Sequence, residues 1–270
     1  MTMANQQAPG ADVSRTPMST HRIQKAKTKA VQVISQNIRG LKSSDRIEEL
    51  TLSLKNRDIF AACLQETWRT GKEAIDCNSY KIILSGKERQ LSNRGSEGVG
   101  IVLSTKAVDG WKAAGCEIHR ISSRVMAVRL LLTDRHPNDL GVFVISSYAP
   151  IGVASDIEWE IFFDSLDKCI SKKKPKDILI IGSDTNSSMG CNTHLNKGYP
   201  IGKFGLEHIN DSGRRFSSYL AINNLLAATT CFRKNSYATW THPRSKLKHQ
   251  IDHFLVQKDN FKFMMVLQNH

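Results

Sequence analysis

The chain has 270 residues, 40% of them apolar, which suffices for one large domain with a sizeable core. No apolar run is long enough to span a bilayer and the first residues lack the apolar core of a secretory signal, so a membrane-bound or secreted protein is not expected. The formal net charge is +13, and residues 1–30 hold five basic side chains and one acidic, so a surplus of +9 belongs to the remainder and favours a polyanionic partner, most often nucleic acid.

Residues 1–29 are rich in Gln, Ala, Ser, Thr, Pro and Lys and read as a disordered basic tail. Residues 30–270 show no repeat and no internal linker, and read as one domain. Order begins at VQVISQNIRG, where Val31 and Val33 alternate with polar residues as in a strand that ends at Asn37 and Gly40. Asp45-x-x-Glu48 then signals a helix, with Ile47, Leu50 and Leu54 on one face. The next apolar run, Ile59 to Leu64, finishes in Gln65-Glu66-Thr67-Trp68. Further strands are expected over Tyr80–Leu84, Gly98–Leu103, Arg124–Leu132 and Val142–Tyr148. Ser155-x-x-Glu158 opens a second helix whose Trp159, Phe162, Phe163, Leu166 and Ile170 form one face. Its closing Lys172, Lys173 and Lys174 read as a solvated C-terminus favoured by the helix dipole.

The stretch DILIIGSDTN, Asp177 to Asn186, is the most informative. Ile178 to Ile181 suit a strand buried on both faces, and on a chain still extended Asp184 and Asn186 would point to the same side. A loop from Ser187 to Asn210 follows, too long for a plain connector. Then come a helix from about Ser212 to Asn223, segments at Leu225–Cys231 and Tyr237–Thr241, and a last strand from Gln250 to Val256. The six cysteines form no CxxC pair and read as reduced, intracellular thiols rather than a disulfide frame or zinc site.

Several of these strands end in a polar residue suited to phosphate: Asn37, Glu66, Tyr148, Asp184 with Asn186, and Asp252. Carboxylate and amide oxygens are hard ligands, fitted to Mg²⁺ or Mn²⁺.

The motifs QNIRG, QETW, GVGIVLS, SRVMAVRL, SSYAP, GSDTN, ATW and IDHFLV, in that order from about Val31 to Val256, resemble the endonuclease/exonuclease/phosphatase superfamily. More narrowly, they are similar to the apurinic-type endonuclease domain of non-LTR (LINE-like) retrotransposons and of cellular genes derived from them. The resemblance implies an α/β fold, a four-layered α/β sandwich of two mainly antiparallel sheets packed face to face with helices outside. It also implies a Mg²⁺ (or Mn²⁺) dependent phosphodiesterase. Glu66 would be the principal metal ligand with Asn37 beside it. Asp184 would orient or deprotonate the attacking water, Asn186 bind the phosphate, and Tyr148 contact it through its phenol. Arg39, Arg124 and Trp240 would meet the nucleic acid, with DNA the favoured substrate. A nuclear location is implied if the protein is functional, and no obligate protein partner is evident.

Two departures stand out. A serine intervenes in Gly182-Ser183-Asp184-Thr185-Asn186, where the family reads GDxN. The family's C-terminal Ser-Asp-His, whose His is oriented by the carboxylate matching Asp252, has no counterpart before His270. His253 follows Asp252 in an expected strand and should face the other way. The expectation is therefore a domain short of its last strand, with cleavage weakened or lost. The alternative is a non-catalytic or vestigial nucleic-acid-binding protein.

Overall fold

Unbroken or alternating apolar runs build two sheets in the computed structural model of the chain, which describes residues 31–88, 97–132, 140–192 and 198–264. The N-terminal tail and His270 lie outside the described residues. The first sheet holds β1 (Val33–Asn37), β2 (Ala61–Gln65), β3 (Lys72–Cys77), β4 (Tyr80–Ser85) and β5 (Val99–Ser104), in the order β1-β2-β5-β4-β3. The second holds β6 (Ile118–Arg120), β7 (Val125–Leu131), β8 (Gly141–Tyr148), β9 (Ile178–Asp184) and β10 (Leu225–Ala227). After a small hairpin of β11 (Trp240–Thr241) and β12 (Lys248–His249), β13 (Asp252–Gln257) enters that sheet between β10 and β9.

Each sheet contains one parallel pair, β1 with β2 and β8 with β9, and is otherwise antiparallel. Parallel neighbours need a crossover, and helices α1 (Ser44–Asn56) and α3 (Asp156–Ile170) supply it. Helix α1 is capped by Ser43, whose hydroxyl takes the Arg46 N–H, so it starts ahead of the signal expected at Asp45. Helix α3 shows both halves of the capping box read from Ser155 and Glu158. Beyond its end, Lys173 Nζ donates to the carbonyls of Lys174, Pro175 and Asp177, a structural use of the lysine run.

The layers follow from which faces are apolar. Leu54 and Ile47 of α1 pack with Ala62, Leu64, Ile82 and Val102 on the outside of the first sheet. Cys63, Ile83 and Ile101 meet Met126, Val128 and Val144 between the sheets. Trp159, Phe162 and Leu166 of α3 pack with Phe216 and Leu220 of α4 (Asp211–Ile222) on Ala127, Phe143, Ile145 and Ile181 outside the second. Helix, sheet, sheet, helices is the four-layered sandwich expected, with two mixed but mainly antiparallel sheets.

Several elements were not expected. Strand β3 alternates exposed and half-buried residues at the sheet edge and lacks an apolar run. Helix α2 (Thr105–Ala113) carries a central Gly110, whose backbone lies so near Leu131 that a Cβ there would stand 2.3 Å from the Leu131 carbonyl oxygen. Strand β6 is only three residues long. Two expected segments are shorter than read: Leu225–Cys231 is strand only to Ala227 and then a 3₁₀ turn, and Tyr237–Thr241 pairs only at Trp240–Thr241.

Parallel pairing aligns strand ends. Asn37 sits opposite Gln65, Tyr148 opposite Asp184, and the antiparallel β13 sets Asp252 opposite Asp184. The sheets approach closely there: a Cβ on Gly182 would stand 2.6 Å from Cys63 Cβ. Both sheets therefore open their polar ends at one common edge.

Candidate active site

Glu66 leaves β2 in a left-handed conformation, φ 51°, which costs a non-glycine residue on the order of 1 kcal/mol. The turn is held on both sides. The Glu66 carbonyl accepts from Gly40 N at 2.8 Å, while Thr67 N and Trp68 N donate to the carbonyls of Gly98 and Glu97, each at 3.0 Å. Gly40 has φ 113°, and a Cβ on it would stand 2.7 Å from the Trp68 ring, so only glycine lets the two turns close on each other.

The Glu66 carboxylate so placed meets Asn37. Its Nδ2 donates to Glu66 Oε1 at 2.7 Å and to Asp184 Oδ2 at 2.8 Å, joining side chains from the two sheets. Tyr148 Oη donates to the same Glu66 Oε1 at 3.2 Å. Asp184 Oδ1 accepts the backbone N–H of Asn186 at 3.0 Å. Asn186 is not on extended chain as expected: its φ is 45°, which turns its N–H back onto Asp184 and lets its Nδ2 donate to the Ala149 carbonyl at 2.8 Å. Asparagine tolerates this conformation better than most residues.

Five of the residues singled out from sequence are thus linked directly: Asn37, Glu66, Tyr148, Asp184 and Asn186. Asp252 joins through its register with Asp184, and its charge raises the Asp184 pKa. Arg39 donates its backbone N–H to Asn37 Oδ1 at 3.2 Å, and its charge acts on Asp252. Trp240 stands apart, its ring 5.3 Å from that of His249 and 5.4 Å from that of His242. It connects to the cluster through its neighbour Thr239, whose hydroxyl takes the N–H groups of Ile251 and Asp252.

Three carboxylates in one partly dry place repel. Burial first, then the charges of Asp252 and Glu66, push Asp184 up to about 7 against the pull of the Asn37 and Asn186 N–H groups. Burial and Glu66 likewise raise Asp252, with Thr239 and Arg39 opposing. Burial, then Glu66 and Asp184, raise the Tyr148 phenol, which stays a proton donor at neutral pH. Asp252 Oδ1 is buried without a hydrogen-bond partner among the described residues. His253 does not supply one: as strand alternation requires, it faces away, fully buried, bonded to Thr229 Oγ1 at 2.8 Å and the Gln250 carbonyl at 3.2 Å.

Among the described residues no three His, Cys, Asp or Glu side chains are grouped to hold a metal by themselves. A hard ion of the Mg²⁺ kind keeps most of its water and is held by one or two carboxylates plus substrate phosphate. Glu66 is an all-oxygen donor with no cationic side chain hydrogen-bonded to it among the described residues, and it fits such an ion. Asn37 turns its N–H, not its carbonyl, toward Glu66 and Asp184, so its amide would have to rotate to become a ligand.

No protein-family model matches the chain. It is 23% identical over 224 residues to Craniofacial development protein 2 of Bos taurus, across 82% of this chain and 35% of that protein. The chain therefore spans about a third of the length of that curated relative. Among solved structures, the endonuclease domain of TRAS1, a telomere-specific non-LTR retrotransposon, superposes with a TM-score of 0.53 at 13% identity over 85% of each chain. The 3′ phosphatase NExo from Neisseria, bound to a product DNA hairpin, gives 0.59 at 18% identity over 86% of this chain and 89% of that one. An endonuclease/exonuclease/phosphatase family protein from Leptotrichia buccalis gives 0.53 at 11% identity over 85% of this chain and 88% of that one. The chain has the endonuclease/exonuclease/phosphatase fold.

Two parts of the site on this fold were not foreseen. Glu97, in the GSEGVG stretch, clamps the Glu66 turn through its backbone and Arg124 through its side chain, at 2.9 Å. Thr239 anchors the start of β13. Glu97 directly precedes the GVGIVLS motif and Thr239 lies inside ATW, and those placements, with the turn chemistry of Glu97-Gly98, are the local signals that could have found them. Arg124 itself is turned inward, donating to the carbonyls of Tyr148 at 3.3 Å and Ala149 at 3.2 Å.

Proposed function

We propose that the chain is a metal-dependent phosphodiesterase that acts on DNA, as the endonuclease domain of a retrotransposon or of a gene derived from one. One observation carries the reading. Asn37 bridges Glu66 and Asp184 across the two sheets, with Tyr148 on Glu66 and Asp252 paired to Asp184, so a carboxylate for a cation, a poised base and two hydrogen-bond donors share one mouth.

In this reading Asp184, with its pKa near neutrality, takes a proton from the attacking water. Asn186 and Tyr148 donate to phosphate oxygens as charge builds on them. Glu66 would hold a Mg²⁺ or Mn²⁺, which would polarise a phosphate oxygen and offset charge on the leaving group. The basic surplus of the chain suits a polyanion, and two of the structural neighbours, an endonuclease domain and a phosphatase on DNA, agree with that substrate class. No helix among the described residues is long and apolar enough to cross a membrane.

Supercoiled plasmid should be converted to open circle in the presence of Mg²⁺, and Glu66→Ala should slow this on the order of a hundredfold or more. Nicking that survives Glu66→Ala undiminished would sink the assignment. A second reading, a protein that binds nucleic acid without cutting it, is favoured by the unpartnered Asp252 Oδ1 and the averted His253. It predicts retarded plasmid with no open circle at any metal concentration.

A further inference from the structure

Arg124 immediately precedes β7, at the sheet end where Tyr148 closes β8, and its backbone carbonyl accepts the Tyr148 N–H at 2.9 Å. An arginine there would be expected to reach outward to phosphate. Its guanidinium does otherwise. Nη1 donates to the carbonyls of Tyr148 and Ala149, Nη2 donates to Glu97 Oε1 at 2.9 Å, and Cζ lies 5.1 Å from the centre of the Tyr148 ring. The Ala149 carbonyl that it holds also receives Asn186 Nδ2, and Ala149 N donates to the Asp184 carbonyl at 2.9 Å.

Glu97 is fixed in turn. Its Oε1 pairs with Lys87 Nζ at 2.8 Å as well as with Arg124, and its Oε2 accepts Ser123 Oγ at 2.7 Å. Burial works against this charge, but Lys87, Arg124 and Ser123 together leave the carboxyl below its ordinary value, so it is ionised at neutral pH. The residue is held at φ 59°, off the usual backbone regions for a glutamate. Its carbonyl meanwhile accepts Trp68 N, two residues beyond Glu66. One residue therefore grips both walls of the site, the Glu66 turn through its backbone and the Tyr148 strand end through Arg124.

We infer that Glu97 and Arg124 form a lock that sets the Tyr148 phenol against Glu66, making Arg124 a positioning residue and not a phosphate contact. The inference rests on the phosphodiesterase reading for its catalytic consequence, though not for the lock itself. The two roles of Arg124 predict opposite signs for a change at Glu97. If the guanidinium served phosphate, neutralising Glu97 would release it and tighten DNA binding. If it serves Tyr148, the same change loosens the phenol and slows the chemical step while leaving DNA affinity alone.

The experiment uses the full chain with its five tyrosines replaced by 3-fluorotyrosine. The ¹⁹F resonance of residue 148 is assigned by its loss in Tyr148→Phe. Glu97→Gln and Arg124→Gln should each move that resonance, the double variant should move it no further, and Arg124→Lys should restore it only in part, because a single ammonium cannot span two carbonyls and a carboxylate. The four other tyrosine resonances, unmoved, show that each variant is folded. With Mg²⁺ and supercoiled plasmid, Glu97→Gln should lower kcat about tenfold to a hundredfold with KM within twofold of wild type, the cost of a misplaced group. A resonance of Tyr148 that stays put in Glu97→Gln, or tighter DNA binding with kcat unchanged, overturns the lock. Should the wild type itself fail to nick, the phosphodiesterase reading falls, and the resonance alone still decides whether the lock exists.

Discussion

Asp184 shows at the scale of one residue what the site costs the fold. Its carboxyl is raised from 3.8 to about 7, so between those values the folded chain keeps a proton that the unfolded chain has released. Stability must then fall as pH rises through that window, by an amount on the order of 2–4 kcal/mol if the shift stands alone. In Asp184→Asn nothing titrates there. Chemical denaturation in EDTA should therefore show the difference in unfolding free energy between variant and wild type moving toward the variant as pH goes from 4.5 to 7.5. A constant difference would mean that Asp184 titrates normally. Such strain is bearable at a site where a cation or a proton is part of the task. Asp184 and Glu66 were legible in the sequence because one closes and the other directly follows a buried strand, where a polar side chain has little to do for the core, and Asn37 because it closes the half-buried β1. Glu97 was not, since its partners Arg124 and Ser123 lie 27 and 26 residues away and only the fold joins them. Asn186 was placed correctly beside Asp184 but for the wrong reason, because its left-handed backbone, not an extended one, brings it there.

At the scale of elements the displaced glycine of the GSDTN motif finds its explanation. Gly182 lies where β9 passes over β2, and a Cβ would stand 2.6 and 2.8 Å from Cys63 Cβ and Sγ and 2.9 Å from Ser35 Oγ. Its φ is ordinary, so the demand is for space between the sheets and not for conformational freedom. Gly182→Ala must push the sheets apart just behind Asp184, which overpacking data value at about 1–3 kcal/mol. Urea unfolding should show a lower midpoint with an unchanged slope, and pairing the change with Cys63→Gly should cost less than the two single changes added. Full additivity would show that the clash is relieved elsewhere. Of the strands that periodicity revealed, β2, β4, β5, β7, β8 and β9 are buried along nearly their whole length, while β1 and β13, less covered, were marked by alternation or by motif. Of those missed, β3 and β6 are edges whose residues are at most half covered, so no apolar run marks them.

For the whole molecule, strands that outnumber helices already suggested stacked sheets flanked by helices, and the order of short motifs supplied the four layers; composition said no more than that a core was possible. Charge is the global property that structure now distributes. Helix α3 carries five acids and one lysine, so the surplus of +13 lies elsewhere. One cationic stretch stands beside the site: the hairpin from Trp240 to His249 exposes Arg244, Lys246 and Lys248, and Thr239 ties its base to Asp252. If DNA lies along this edge, those three side chains displace counterions from its phosphates. Replacing all three by Gln should then weaken binding of a labelled duplex and reduce the slope of log K against log salt by about 2 to 3, near 0.9 for each phosphate no longer neutralised. Replacing Glu160 and Asp164 on α3 by Gln makes a different face more positive, and should leave that slope as it was if only the hairpin edge meets DNA. Fluorescence anisotropy between 50 and 200 mM salt separates the cases, since a slope that follows net charge alone would change in both variants and in opposite senses. That outcome would remove DNA from the hairpin and leave the basic surplus without a located partner.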